Sequence, residues 1–175
     1  MKCFNVGILG TGSIAQSMAF TLNALKDKGE VVPYAIASRS LKKAENFARE
    51  WHFEKAYSSY EALVSDPAVD LIYIATPHSL HYEHALLCLN HSKNTLVEKS
   101  FTANALQAQE LLSLAADKKV LLAEAIWTRY MPSRKIIADL LASGAIGRFT
   151  TLNATFSVPI HEIPRMHDPS LCGGA

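Results

Sequence analysis

The chain reads as an α/β protein, a doubly wound and mostly parallel sheet followed by the truncated start of a second, α+β domain. Three observations carry this reading. Short apolar runs alternate with amphipathic helical stretches from residue 4 to residue 124. A glycine turn, Gly10-Thr11-Gly12-Ser13-Ile14-Ala15, joins the first apolar run to the first helical stretch. Strict two-residue alternation then replaces this grammar from Phe149 to Val158.

The elements follow in order. The apolar run from Phe4 to Leu9 predicts a strand, and the alanine-rich stretch 13–26 a helix. A second strand is expected at 31–37 and a helix at 41–51, with Ser40 as its N-cap. A short strand at 55–57 leads to a helix at 59–65, which Ser58 and Glu61 would open as a capping box and Asp66-Pro67 would end. The pattern repeats as strand 70–75, helix 80–91, strand 94–98, helix 104–117 and strand 119–124, about six strands with helices on both faces. After Glu124 the rhythm changes. Met131-Pro132 opens a helix that ends near Ser143-Gly144. From Phe149 onward Leu152, Ala154, Phe156 and Val158 share one face and Thr151, Asn153, Thr155 and Ser157 the other, the pattern of a half-buried strand in an antiparallel sheet. No partner strand remains for it. Residues 1–125 are therefore read as one domain, and residues 126–175 as the connecting helix and first strand of an incomplete second one, with a polar tail lacking any terminal element.

At 175 residues the chain can build one substantial core but not two. Seventeen basic and 16 acidic residues leave a net charge of +1, with no basic stripe along any helix, so the expected partner is a small molecule rather than nucleic acid or membrane. Neither a signal-peptide core nor an apolar run of membrane-spanning length is visible, which predicts a soluble, cytoplasmic protein. Cys3, Cys88 and Cys172 are odd in number and never paired as C-x-x-C, so reduced structural thiols are expected.

The glycine turn carries the first chemistry. Gly10 permits a tight turn, Gly12 lets the backbone approach a pyrophosphate, and Ala15 packs where a third glycine would otherwise stand. The helix N-terminus, with Ser13 and Ile14 in its first turn, then faces the phosphates, so a dinucleotide is expected here. The second strand ends in Ala37-Ser38-Arg39-Ser40 rather than in the acid that would hold a ribose 2′-hydroxyl. Glu30 precedes that strand and would lie some 20 Å from the crevice, at about 3.3 Å per residue. Ser38 and Arg39, with Lys42 or Lys43 one turn on, suit a 2′-phosphate instead, so NADP is expected over NAD, which remains possible. A solvated arginine at a helix start is the plainer alternative.

Two further strand ends open on the same crevice. The strand 70–75 empties into Ala75-Thr76-Pro77 with His78 and His81 behind it. His78, His81 and His84 recur every third position, but no carboxylate or thiol motif joins them, and no metal is expected. The strand 94–98 ends in Glu98-Lys99, whose side chains leave on opposite faces. Lys99 in the crevice would hydrogen-bond a substrate hydroxyl and handle its proton while hydride moves to the nicotinamide. Taken alone, such a pair is more often a surface ion pair.

Together these residues resemble the Gfo/Idh/MocA oxidoreductase family, in which a glycine turn, an Ala-Thr-Pro turn with a following histidine, and a Glu-Lys strand end occur in this order. The stretch from Ala123 to Tyr130 and the tail Gly173-Gly174-Ala175 are similar to the branch containing dimeric dihydrodiol dehydrogenases. The resemblance implies NADP, a homo-oligomer assembled through the second domain, Lys99 as the catalytic lysine, and Glu98 as a support for the site, with both residues also at the cofactor. It also implies that His81 belongs to the cofactor site and that Trp127 and Arg129 wall it; without it Trp127 reads as core and Arg129 as surface. Ser100 departs from the family, where proline usually follows the lysine. The implied activity is NAD(P)-dependent hydride transfer at the hydroxyl or carbonyl carbon of a sugar, polyol or vicinal diol, with this chain as the cofactor-binding half, inactive by itself. A noncatalytic dinucleotide-sensing regulator is the competing reading.

Overall fold

The computed structural model describes residues 3–155, 157 and 168–172, with no account of the side chains of Pro169 and Cys172. Six parallel strands form one sheet: β1 (Phe4–Leu9), β2 (Val31–Ala37), β3 (Lys55–Tyr57), β4 (Leu71–Ile74), β5 (Asn94–Val97) and β6 (Leu122–Glu124). Their spatial order is β3-β2-β1-β4-β5-β6, so the winding reverses between β1 and β4. Crevices for ligands form at such a reversal, beyond the carboxyl ends of the strands.

Helices cover both faces because the central strands are apolar on both. α1 (Ser13–Lys26) and α2 (Leu41–Trp51) bury Ala15, Ala19, Leu22, Ala44 and Phe47 against Val6, Ile8, Ile36 and Tyr73. On the other face α3 (Tyr60–Val64), α4 (His81–Asn90) and α5 (Ala105–Lys118) bury Leu63, Val64, Ala85, Leu89, Leu111 and Ala115 against Leu9, Ile72, Ile74 and Val97. Ala15 is fully buried, and its small side chain lets α1 approach the sheet closely beside the glycine turn.

The cap of α3 is Ser59, whose hydroxyl accepts from Ala62 N–H at 3.2 Å, so Ser58 and Glu61 form no capping box. Ser40 caps α2 without a side-chain hydrogen bond. The last sheet strand is only three residues long, because Lys119 ends α5 in the left-handed conformation.

α6 (Pro132–Ala142) follows a short 3-10 turn at Trp127–Tyr130, as the Met-Pro signal predicts. The expected strand at 149–158 is not formed by residues 149–155 or 157, all of which are exposed. A strand needs a neighbour for its N–H and C=O groups, and among the described residues none pairs with this segment. Phe156, Val158, most of the tail and the Gly173-Gly174-Ala175 stretch lie outside the described residues. The tail does carry one short helix, α7 (Pro169–Cys172), which sits near the 3-10 turn His78–Leu80. Among the described residues no helix is long and apolar enough to cross a membrane. Cys88 is buried, which pushes its thiol up to about 12, and Cys3 donates to Gly29 C=O at 2.9 Å; both are free thiols.

Candidate functional site

The carboxyl ends of β1, β2, β4 and β5 surround an open cleft of about 580 Å³. Its floor is the glycine turn. Gly10 has φ +104°, in the region that favours glycine, and a Cβ there would stand 2.8 Å from Ala75 C=O. Gly12 differs, since a Cβ on it would meet nothing within 4 Å and would project into open space. Gly12 is also the N-cap of α1, with no side-chain cap and no acidic residue in the first turn. The first amides of α1 are thus left to an external acceptor, and the helix dipole favours an anion there. Thr11, Ser13 and Ile14 line the same floor.

Beyond β2, Ser38, Arg39, Ser40 and Lys43 form one wall. Lys43 joins it and Lys42 does not. Tyr60, at the start of α3, faces Arg39 across this end. Its phenol is raised above the ordinary tyrosine value, by burial first, with the Arg39 charge opposing. No carboxylate lines this wall among the described residues. The group of Ser38, Arg39 and Lys43 therefore suits a phosphate ester better than a bare ribose hydroxyl.

The Ala75-Thr76-Pro77 turn forms the opposite side, together with His78. His81 does not line the cleft. It is fully buried behind it, with Nδ1 2.7 Å from Ser100 C=O and Nε2 2.9 Å from Thr76 C=O. It thus ties the end of β4 to the loop after β5. His84 Nδ1 lies 2.9 Å from Thr76 Oγ1, and its ring meets Tyr60 edge-on at 4.6 Å. Burial, and then the neighbouring His81 and Arg39, lower His84 to about 4, so it is neutral at pH 7.

Glu98 and Lys99 complete the lining at the end of β5. Lys99 is exposed and its peptide bond to Ser100 is cis. Glu98 accepts from the Tyr73 hydroxyl on Oε1 and from the Lys99 backbone N–H on Oε2 at 3.1 Å. Farther along the loop, Phe101 N–H donates to Glu124 of β6 at 3.0 Å.

Gly10, Gly12, Ser13, Ile14, Ser38, Arg39, Ala75, Thr76, Pro77, Glu98 and Lys99 therefore share one cleft. Trp127 and Arg129 do not line it. Both are exposed on the 3-10 turn after β6, at the sheet's edge. Thr11, Tyr60 and His78 are lining residues that motif reading passes over. Tyr60 had a usable signal, since it follows a strand whose carboxyl end opens on the same side as the others.

The family described as "Oxidoreductase family, NAD-binding Rossmann fold" matches residues 4–126. The chain belongs to this Gfo/Idh/MocA family. A trans-1,2-dihydrobenzene-1,2-diol dehydrogenase from Xenopus tropicalis is 41% identical over 169 residues, covering 97% of this chain and 51% of the relative. A D-xylose 1-dehydrogenase (NADP(+)) from Hypocrea jecorina is 39% identical over 189 residues, covering 97% and 48%. Among solved structures, a 3-ketoreductase from Actinomadura kijaniata in complex with NADP and TDP-benzene superposes with a TM-score of 0.88 at 30% identity, over 99% of this chain and 53% of that one. The chain thus spans about half the length of the curated relatives it matches. The matched region of this Gfo/Idh/MocA chain is the one that builds the cleft.

Proposed function

We propose that the whole protein is an NADP-preferring oxidoreductase acting on the hydroxyl or carbonyl carbon of a sugar, polyol or vicinal diol, and that residues 1–125 are its cofactor-binding domain. The observation that carries this reading is one cleft holding a bare helix N-terminus, a cationic wall without a carboxylate, and a strand-end lysine. The α1 amides and Gly12 would hold the pyrophosphate, and Ser38, Arg39 and Lys43 the 2′-phosphate. Bound there, the nicotinamide dinucleotide supplies the hydride donor or acceptor. Lys99 would hydrogen-bond the reacting oxygen, taking its proton in oxidation and returning it in reduction. Glu98 and His81 would hold the lysine loop in place. The NADP(+) enzyme of Hypocrea and the NADP complex of the Actinomadura ketoreductase support NADP, and the diol and xylose dehydrogenases support the substrate class.

Residues 126–175 are read as the connection into a second domain that would complete the substrate pocket and assemble the homo-oligomer; the length of the relatives and the alternation after Phe149 support this. A fluorescence titration tests the cofactor assignment. NADPH should bind tighter than NADH, and the proposal fails if neither binds. Lys99→Ala should keep NADPH affinity within about twofold while losing most turnover on a panel of aldoses, polyols and vicinal diols.

A further inference from the structure

We propose that Tyr73 is a positioning residue for Lys99: its phenol fixes the Glu98 carboxylate, and that carboxylate fixes the Lys99 backbone at the mouth of the cleft. The inference rests on the reading of Lys99 as the proton-handling group, but its geometry is independent of any substrate. Tyr73 stands on β4 directly opposite Leu96 of β5 and is 2% exposed. Side chains two apart on a strand share a face, so Glu98 emerges just past the strand end on the face of Leu96, within reach of a phenol from below. Tyr73 donates to one carboxylate oxygen and the Lys99 N–H to the other, at 3.1 Å.

The division of labour follows from the side chains. A carboxylate turns freely about its last torsion unless one oxygen is held. Held at Oε1 by a phenol embedded in the core, Glu98 offers Oε2 at a fixed point, and the Lys99 amide meets it there. Burial, reinforced by the hydrogen bond to Glu98 and then by its charge, keeps the phenol well above its ordinary value, so it remains a donor across the working pH range. The other ties on this loop act farther along. His81 holds Ser100 C=O and Glu124 holds Phe101 N–H. Tyr73 through Glu98 is thus the route by which the sheet core addresses the lysine's own backbone.

Two variants of the whole protein test this, Tyr73→Phe and Glu98→Gln. The first readout is amide hydrogen exchange, which needs no substrate. Loss of a charge-assisted hydrogen bond should speed exchange at Lys99 about tenfold in either variant. Exchange at Thr95 of β5, whose N–H donates to Leu121 C=O at 2.8 Å, should stay unchanged. The second readout is kinetic, on the fastest substrate of the diol and aldose panel. Tyr73→Phe should lower kcat about tenfold with KM and NADPH affinity within about twofold, and the double variant should be no slower than Glu98→Gln alone. Unchanged exchange at Lys99, or equal acceleration at Thr95, overturns the proposal. Unchanged kcat in Tyr73→Phe with an active parent overturns it as well. A parent protein that binds NADPH but turns over nothing would sink the proposed function, and the exchange measurement would still decide the role of Tyr73.

Discussion

The two glycines of the turn look alike in sequence and differ in what they do. At Gly10 both the positive φ and the approach of Ala75 C=O to 2.8 Å exclude a side chain for reasons internal to the fold. Gly10→Ala should cost about 2 kcal/mol or more in urea denaturation, whether or not cofactor is present. At Gly12 nothing within 4 Å opposes a methyl group, so the bareness serves whatever enters the cleft. Gly12→Ala should leave the urea midpoint almost unchanged and weaken NADPH binding about tenfold or more. Equal loss of stability in the two variants would contradict this division. Arg39 carries a second prediction at this scale. Arg39→Ala removes a forked cation facing the expected 2′-phosphate, so NADPH affinity should fall about 10- to 100-fold while NADH affinity changes by about twofold or less. Parallel loss for both cofactors would show that Arg39 serves the adenosine and not the phosphate. Motif spacing made the glycines and Arg39 legible. It could not reveal the roles of His84 or Tyr73, because each works through a side-chain hydrogen bond to a residue outside its own element, Thr76 or Glu98.

Between elements, the two ends of the sheet do different work. The carboxyl ends build the cleft, and a polar cluster ties the amino ends together. Asp66, just before β4, accepts from Lys55 of β3 at 2.8 Å and from Tyr57 at 2.7 Å on Oδ2, and from Ala68 N–H at 2.9 Å on Oδ1. Lys93, before β5, donates to the carbonyls of Asp66 and Val69 at 2.6 and 3.0 Å. Desolvation alone would raise the Asp66 carboxyl, but hydrogen bonds from Lys55, Tyr57 and Ala68 N–H outweigh it and hold the group well below the usual carboxylate range. A depressed carboxyl contributes stability that is fully present above its unfolded value near 4 and is lost as pH falls toward the folded value. Asp66→Asn should therefore destabilise the protein by on the order of 2 kcal/mol at pH 7, and the gap to the parent should narrow below about pH 4. Urea denaturation at pH 7 and pH 3 checks it, and a gap that widens on acidification would refute the sign. Elements with strong periodicity, such as α1 and α5, stand where the sequence pattern puts them. The alternation from Phe149 specifies a face without supplying a neighbour, and because a strand is a property of two segments, the described residues 149–155 and 157 form none here.

At the scale of the molecule, the order β3-β2-β1-β4-β5-β6 brings four loops from distant parts of the sequence to one crevice. Each of these loops continues the ladder of the sheet: Gly10 N–H donates to Ala37 C=O, Ser38 N–H to Tyr57 C=O, Ala75 N–H to Leu9 C=O, and Glu98 N–H to Ile74 C=O. A ligand gripping all four would thus bind the folded sheet and have no counterpart site in the unfolded chain. Binding to the native state alone adds stability in proportion to the logarithm of ligand concentration, about 2.7 kcal/mol at 100 times Kd. For a chain of this size that corresponds to a rise in melting temperature of roughly 5–10 °C. NADPH at that excess should produce this rise in the parent and equally in Lys99→Ala, which alters chemistry and not grip. At the same concentration the rise should shrink sharply in Gly12→Ala and in Arg39→Ala. NADH at that concentration should give the smaller shift in the parent, and the difference between the two cofactors should vanish in Arg39→Ala. If Lys99→Ala lost the NADPH shift while Arg39→Ala kept it, the cleft would be oriented with its phosphate and reacting ends exchanged, and the assignments of both residues would fall together.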